Sequence, residues 1–293
     1  MVKVISVLTF KKFNINRFIF ANRSLNEFPF EVHSNLPEIE ICIPIAKKDF
    51  ELVVDTVDFA LKSSANPVSK VSLICPKYEM FLLESEITKS NLNSIKVEII
   101  SEVDLIPSMI YEKIEPTFGN RAGWVTAEFV KFYFLVKNKS AGVLVLDADT
   151  FLINSKIWLN KEKQQVLMPV EEYHPPYFRF LKKTSSLFGE CSCSFMSHHM
   201  LMQPWLVREL FEKVWKTSDL DLWNSIISNV DFNEYSNLCI CYEAYGNFLI
   251  NNHTELAMIE KWSNKVISRK DILDVAKYIQ MQKFNSISLH SYL

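Results

Sequence analysis

The chain has 293 residues, of which 48% are hydrophobic and 23% charged, and its formal net charge is -2. This composition is typical of a globular protein with a sizeable core, and the near-neutral charge argues against a protein that coats nucleic acid. No stretch contains the run of about 20 apolar residues that spans a bilayer, and no secretory signal is recognisable. We therefore expect a cytoplasmic protein, with peripheral contact to the inner face of a membrane left open.

Short apolar strands alternate with helices in the first half of the chain. Strands are predicted at residues 39–44, 71–75, 97–100 and 143–146, and helices at residues 49–62 and 123–137. Strands that are apolar throughout and separated by helices indicate a mostly parallel sheet covered on both faces. The sequence therefore predicts an α/β fold with a Rossmann-like sheet, whose ligand binds at the carboxyl ends of the strands.

The second half is predicted to be richer in helices. A strand is expected at residues 166–170, then an aromatic, proline-containing loop at residues 171–180, and a strand or strand end at residues 194–202. Helices are predicted at residues 205–216, 220–227, 243–251 and 271–282, followed by a strand-like tail at residues 286–293. No repeat or Pro/Gly-rich linker divides the chain, so a single domain over residues 1–293 is expected.

Two aspartates, Asp147 and Asp149, directly follow the apolar strand at residues 143–146. Side chains two positions apart in an extended chain lie on the same side, so both carboxylates can face one cleft. Two hard oxygen ligands suit Mn²⁺ or Mg²⁺, which would also bind the oxygens of a diphosphate. The pattern predicts a nucleotide-sugar transferase, in which the cation neutralises the leaving diphosphate.

Other interpretations of these residues stay open. Asp and Thr are common in turns at strand ends, because they bond to their own backbone. Phosphatases related to haloacid dehalogenases also carry two aspartates after a strand, and Asp147 would then be the nucleophile. Their pattern has Thr or Val where this chain has Phe151. A non-catalytic module that binds a nucleotide or a glycan is the third alternative.

Four motifs in chain order carry a resemblance to a known family. They are RAGW at residues 121–124 with Lys131 on the following helix, LVLDADTFL at 144–152, SFMSHHM at 194–200 and YEAYGNF at 242–248. In this order they resemble the bacterial family DUF6492, whose members look like GT-A glycosyltransferases. The family tends to have a glutamine pair where this chain has Ala127 and Glu128.

The resemblance implies a GT-A-like fold with a helical C-terminal part and a role in making polysaccharide or a related glycan. The expected reaction transfers a sugar from a nucleoside diphosphate, with a UDP-sugar favoured, to a hydroxyl of a glycan, polysaccharide or glycolipid acceptor, which is in some cases lipid-linked. Residues 36–155 are then expected to bind the nucleotide-sugar and the metal. Residues 156–293 are expected to bind the acceptor.

Three residues are predicted to contact the donor. Lys131 is expected at the diphosphate or the donor sugar, unless it is a solvated lysine on a helix face. Pro44 and Asp49, after the first strand, are expected beside the base and the ribose by the strand-end rule. Asp49 is alternatively the N-cap of the helix that follows.

Three further residues are candidates for acid–base chemistry. Glu243 lies among aromatic and amide side chains that suit a sugar ring, and it is predicted to be the catalytic base or to position the acceptor. The alternative is a structural glutamate that is bonded to the backbone. His198 and His199 are candidate acids or bases, and neighbours on a strand point in opposite directions, so only one is expected in the cleft.

Side chains near the end of the chain and in the aromatic loop complete the predicted site. His290 is expected to be a third metal ligand, or else an exposed histidine on a frayed tail. Tyr177 and Phe178 are predicted to stack on a sugar or to fill a local core. Glu171 and Glu172 are expected to bind acceptor hydroxyls.

The six cysteines do not indicate a disulfide scaffold in a chain of this length. A structural zinc site is an alternative use for some of them. Its candidate ligands are Cys191, Cys193, His198, His199, Cys239 and Cys241. Their Cys-X-Cys spacing differs from the wider spacings that zinc sites prefer, and free cysteines are common in cores. We therefore interpret these cysteines as core residues.

Overall fold

The computed structural model describes residues 35–89, 96–170, 173–190, 193–234, 237–280 and 283–290. The first elements are β1 (Ile39–Pro44), α1 (Val53–Ser63), β2 (Val68–Cys75), α2 (Met80–Thr88), β3 (Lys96–Ser101), α3 (Glu102–Leu105), α4 (Ser108–Phe118), α5 (Ala122–Lys137), β4 (Val143–Leu146) and β5 (Thr150–Leu152). The later elements are β6 (Gln165–Leu167), α6 (Pro175–Thr184), β7 (His199–Met202), α7 (Pro204–Trp215), α8 (Asp219–Asn229), α9 (Tyr242–Asn252), β8 (Ala257–Ile259), β9 (Asn264–Ser268), α10 (Val275–Gln280) and β10 (Ser286–His290).

The central sheet has five strands in the order β3-β2-β1-β4-β7. The first four strands are parallel and β7 runs antiparallel to β4. Ile41 and Ile43 pack in the core on one face of the sheet, and Cys42 packs in the core on the other. Burial on both faces explains why the strand is apolar at every one of these positions. The predicted α/β fold with a mostly parallel sheet flanked by helices is confirmed.

A second sheet brings the end of the described chain back to the central one. Its order is β5-β10-β9, and β10 runs antiparallel to β5 and parallel to β9. β5 begins one residue after Asp149, so β10 lies directly beside the Asp-X-Asp segment. In the described residues, no helix has both the length and the apolar character needed to cross a membrane.

The prediction of a loop at residues 171–180 is wrong for its larger part, because α6 begins at Pro175. Proline fits the first turn of a helix, where its missing N–H has no partner to lose. The helix then buries four apolar side chains on one face, Tyr177, Phe178, Phe180 and Leu181. Aromatic residues and prolines therefore indicated a loop where they form an amphipathic helix.

Two other predicted helices are divided in the structure. The segment predicted at residues 49–62 is a 3₁₀ turn, Lys47–Leu52, followed by α1. The segment predicted at residues 271–282 is a 3₁₀ turn, Arg269–Asp274, followed by α10. Short tight turns often precede an α-helix, and hydrophobic periodicity does not separate the two.

Candidate active site

A large cleft lies at the carboxyl ends of the parallel strands. This large cleft has a volume of about 670 Å³. Residues at or just after the carboxyl ends of four strands line the cleft. They are Pro44 from β1, Pro76 after β2, Glu102 after β3, and Asp147 and Asp149 after β4. A ligand site at this edge of an open parallel sheet is what the topology predicts.

Asp147 and Lys131 form an ion pair at the inner wall of the large cleft. Lys131 is only 6% exposed, so the interpretation as a solvated lysine is wrong. Its Nζ lies 3.5 Å from Asp147 Oδ1 and 3.3 Å from Glu128 Oε1. Burial opposes the charge of Asp147, but Lys131 and hydrogen bonds from His198 and Tyr242 outweigh it and hold the pKa of Asp147 well below its usual range. Asp147 is therefore ionised.

Two further side chains fix the orientation of the Asp147 carboxylate. The Tyr242 hydroxyl donates a hydrogen bond of 3.1 Å to Oδ1, and His198 Nδ1 lies 3.2 Å from Oδ2. The ring of Tyr242 also lies 4.3 Å from the Lys131 ammonium, a cation–π contact. The carboxylate, the ammonium and the phenol thus form one rigid polar group.

Asp149 and His290 face each other at the end of the second sheet. His290 Nδ1 is 3.4 Å from Asp149 Oδ2, and the Leu289 N–H donates a 2.8 Å hydrogen bond to the Asp149 carbonyl. His290 is 8% exposed and ends β10, so the interpretation as a frayed, exposed tail is wrong. The rings of His290 and His198 are 5.4 Å apart.

The donor set at this position fits an open metal site. Among the described ranges, no group of three or more His, Cys, Asp or Glu side chains is placed to hold a metal ion, so the protein side of such a site would consist of fewer ligands. Asp149 and His290 supply one carboxylate oxygen and one imidazole nitrogen beside the ionised Asp147. A Mn²⁺ or Mg²⁺ ion held by such a set would take its remaining ligands from water and from phosphate oxygens.

Of the two adjacent histidines, His198 lies beside Asp147 and His199 is buried at the start of β7. His198 directly precedes β7 and has a φ of 61°. Its carbonyl accepts a 2.9 Å hydrogen bond from the N–H of Asp147. A positive φ is uncommon for histidine and frequent at functional sites. His199 is buried with its ring edge against Trp158, and burial lowers its pKa to about 3. His199 is therefore outside the clefts, because the strand alternation turns it into the core.

Glu243 also lies outside the two clefts. This position does not fit the predicted role of a catalytic base. The side chain is 0% exposed and lies in α9, every residue of which from Tyr242 to Leu249 is buried. Its carboxylate accepts hydrogen bonds from the Ser194 hydroxyl and, at 3.0 Å, from the Phe195 N–H. The alternative of a structural glutamate bonded to backbone is the one that the geometry favours.

The variant Glu243→Gln is expected to affect stability and not chemistry. The amide loses part of the charge-assisted bonding to Ser194 and Phe195, so the free energy of unfolding should fall by about 2 kcal/mol. Urea unfolding measures this loss, and turnover of a nucleotide-sugar per folded molecule should be unchanged. A catalytic base would instead lose about 10²-fold or more in turnover. Such a loss, with stability unchanged, would contradict the structural role.

Glu128 is a buried residue whose importance the sequence analysis missed. Its Oε2 accepts hydrogen bonds of 3.1 Å from the N–H groups of both Ile240 and Cys241, just before α9. Its other oxygen faces Lys131. Glu128 thus links the ion pair to the segment that carries Tyr242. The three-residue spacing from Lys131 on one helix was the available signal.

Asp49 lies at the edge of the large cleft and does not cap a helix. The N-cap of the 3₁₀ turn is Ala46, and the Asp49 carboxylate forms an ion pair with Arg269. Arg269 also donates to the carbonyls of Lys48 and Leu289. Arg269 therefore ties the edge of the large cleft to β10, the strand that ends at His290. Burial raises the pKa of Asp49, although Arg269 acts in the opposite direction.

A second cavity, the small cleft, adjoins the large one across Asp147 and Asp149. Its volume is about 340 Å³. The residues that line it are Arg121, Trp124, Asp147, Asp149, His174, Tyr177, Ser194, Met196, His198, Tyr242 and His290. Tyr177 stacks on Trp124, with ring centroids 6.2 Å apart. Phe178 instead packs on Tyr173 and does not line the cleft. The predicted roles of Glu171 and Glu172 lie outside the described residues.

The cysteines within the described ranges are core residues. Cys239 and Cys241 are buried, with their sulfur atoms 3.8 Å and 3.7 Å from those of Met196 and Met202. Burial raises the pKa of both thiols, which opposes the thiolate that zinc requires. Cys193 is buried as well, and Cys191 lies outside the described residues. The alternative of a structural zinc site therefore finds no support.

No protein-family model and no curated protein sequence matches the chain. The mannosyltransferase Ktr4p from S. cerevisiae has a similar solved structure, with a TM-score of 0.53 and 11% identity over 82% of this chain and 78% of that chain. Mouse xyloside xylosyltransferase 1 in its apo form aligns with a TM-score of 0.45 and 10% identity over 87% of this chain and 98% of that one. The resemblance to DUF6492 stays a prediction. The mostly parallel α/β fold of this chain matches that of GT-A glycosyltransferase structures.

Proposed function

We infer that this chain is a metal-dependent glycosyltransferase that takes its sugar from a nucleoside diphosphate, with a UDP-sugar as the favoured donor. The acceptor is a hydroxyl of a glycan, polysaccharide or glycolipid. One observation carries the proposal: an ionised Asp147, paired with a buried lysine, lies beside Asp149 and His290 at the boundary between two clefts.

In this proposal each cleft binds one substrate: the large cleft binds the donor and the small cleft binds the acceptor. The large cleft, at the strand ends, has the volume of a site for a nucleoside diphosphate sugar, within the range of about 300–1,000 Å³ for small-ligand sites. Asp149 and His290 would hold the cation, which supplies neutralisation of the leaving diphosphate when it is bound. Lys131 adds positive charge to the same wall, and it keeps Asp147 ionised.

The small cleft is the proposed acceptor site. His198 lines it and is oriented by its contact with Asp147. A carboxylate beside a histidine fixes the ring and its tautomer, so His198 replaces Glu243 as the proposed acceptor of the hydroxyl proton. Arg121 and Trp124 line the small cleft although they precede residue 155. The acceptor site in this proposal therefore draws on both halves of the chain.

The two alternative functions receive less support. A phosphatase needs Asp147 as a free nucleophile, whereas its oxygens are bound by Tyr242, His198 and Lys131. A module that only binds a nucleotide has no need of an oriented histidine in a second cleft. Such a module would bind the nucleotide-sugar without any hydrolysis or transfer.

A thermal-shift titration with UDP, GDP and CDP tests the donor site. One nucleoside diphosphate, expected to be UDP, should raise the melting temperature in the presence of Mn²⁺ and not after EDTA. At 100 times the dissociation constant the stabilisation is about 2.7 kcal/mol. The matching nucleoside monophosphate is the control, because it lacks the diphosphate that shares the cation. If no nucleotide shifts the transition with Mn²⁺, the proposal is wrong.

A further inference from the structure

A third depression, the side groove, opens next to the small cleft. It has a volume of about 370 Å³. The residues that line it are Thr117, Phe118, Asn120, Arg121, Trp124, Val125, Phe232, Asn233, Glu234 and Asn237. Arg121 and Trp124 belong to both cavities, and the guanidinium lies 4.5 Å from the indole ring. The side groove thus continues the small cleft away from the metal side of the site.

An exposed aromatic ring forms one side of this groove. Phe232 is 55% exposed, and its ring is held against Phe118 with centroids 5.7 Å apart. Phe118 in turn packs edge-on against Trp223. A phenyl ring that is held in place and still open to water is a ready surface for the apolar face of a ligand. Trp124 and Phe232 therefore supply two aromatic surfaces along one path.

The rest of the lining consists mainly of amides. Asn120, Asn233 and Asn237 each carry both a donor and an acceptor, which suits hydroxyl groups. Asp231 holds two of them in place. Its Oδ1 accepts a 3.0 Å hydrogen bond from the Asn233 N–H, and its backbone carbonyl accepts one from the Asn237 side-chain amide.

The charges that face the groove balance. The lining contains one cationic and one anionic side chain, Arg121 and Glu234, and Glu234 forms its ion pair with Arg179, which does not line the groove. A nearly neutral wall of amides and aromatic rings matches a neutral polyhydroxylated chain better than a polyanion.

We propose that the side groove binds the second and later sugar residues of an oligosaccharide acceptor whose terminal residue occupies the small cleft. The proposal rests on the proposed function for the position of that terminal residue. The substrate class is then an oligosaccharide or polysaccharide end, and not a monosaccharide or a small aglycone. Trp124, at the junction, would contact the terminal residue and the next one, and Phe232 the residues beyond.

Binding of oligosaccharide ladders to the full chain tests this inference without any turnover. Gluco-, manno- and N-acetylglucosamine oligosaccharides of one to six residues are titrated by calorimetry, with and without UDP and Mn²⁺. At least one ladder should gain about tenfold in affinity between the monosaccharide and the trisaccharide, the size expected from one added aromatic contact. Affinity that does not depend on length in any ladder overturns the proposal.

Two matched variants test whether the gain in affinity from monosaccharide to trisaccharide arises in the side groove. Phe232→Ala should remove the tenfold gain for the trisaccharide and leave the monosaccharide affinity unchanged. Phe81→Ala, at a phenylalanine on α2 that is 78% exposed and lies outside the groove, should change neither. If Phe232→Ala lowers both affinities equally, or neither, the groove does not bind the distal residues. The nucleotide shift with Mn²⁺ is scored separately, so failure of the donor site is distinguishable from failure of the groove.

Discussion

The variant Asp149→Ala is expected to lose the Mn²⁺-dependent shift in melting temperature and about 10³-fold in turnover of the nucleotide-sugar. The carboxylate is one of two side chains proposed to bind the cation directly, and the loss of a cation that neutralises a leaving diphosphate costs several kcal/mol of transition-state stabilisation. The fold should persist, because the hydrogen bond from the Leu289 N–H to residue 149 uses the backbone carbonyl.

Controls separate this effect from general damage. Asp55→Ala removes an exposed carboxylate on α1 and should leave the shift and the turnover unchanged. His290→Ala removes the other side chain proposed to bind the cation directly, so Mn²⁺ affinity should fall by more than the about 10–100-fold that loss of an outer-shell partner costs. Full Mn²⁺-dependent turnover by Asp149→Ala would show that the cation, if required, is bound elsewhere.

Lys131→Met is expected to lower the free energy of unfolding by about 3 kcal/mol at pH 7, because it leaves the buried Glu128 and the partly exposed Asp147 without their cation. Lys131 is nearly inaccessible, so solvent does not screen the loss. The two partners left behind are Asp147 and Glu128. Nucleotide binding should fail as well. Urea unfolding gives the energy, and Lys183→Met, at an exposed lysine of α6, should change stability by less than about 0.5 kcal/mol.

The same variant should alter how stability depends on pH. In the wild type the pKa of Asp147 is depressed, so its stabilising ionisation is complete above the unfolded value of about 3.9 and is lost only as the pH falls through the folded pKa. Without Lys131, the main opponent of the burial effect is gone, so the pKa of Asp147 is expected to rise. The variant then takes up a proton on Asp147 at a higher pH than the wild type does, and this uptake removes the cost of the unpaired charge. The difference between the two proteins is expected to shrink from pH 7 to pH 4. A constant difference would mean that Asp147 is not the partner that matters.

The elements that sequence analysis predicted best are those whose pattern has a single physical cause. β1 and β4 have the predicted bounds, because strands buried on both faces are mostly apolar: Glu40 is the one charged residue of β1, and β4 is apolar throughout. Asp147 and Asp149 meet at one cleft edge because a strand ends just before them. The strand predicted near the end of the chain is β10, and His290 at its end lies beside Asp149. The positions of the strands and of the two aspartates needed only local sequence and the rule for strand ends, whereas the expectation for His290 came from the resemblance to GT-A glycosyltransferases.

The errors have a physical reason in common. Glu243 is surrounded in sequence by tyrosines and asparagines that suit a sugar, but α9 is buried and these polar groups serve one another: Asn247 donates to the Glu243 carbonyl at 2.9 Å. Composition does not tell a sugar-binding surface from a satisfied polar core. Likewise, the pairing of Asp49 with Arg269 spans 220 positions, which no local pattern reveals.

The position of β10 has a consequence for the synthesis of the chain. β10 lies between β5 and β9, although it follows both in sequence. Thr150 and Ser288, whose hydroxyls are 3.0 Å apart, are separated by 138 positions. At about 5–20 residues per second, a ribosome needs roughly 7–28 seconds to cover that distance. For that interval the nascent chain carries Asp149 without His290 and β5 with an open edge. The proposed cation site is therefore complete only after residue 290 has left the ribosome.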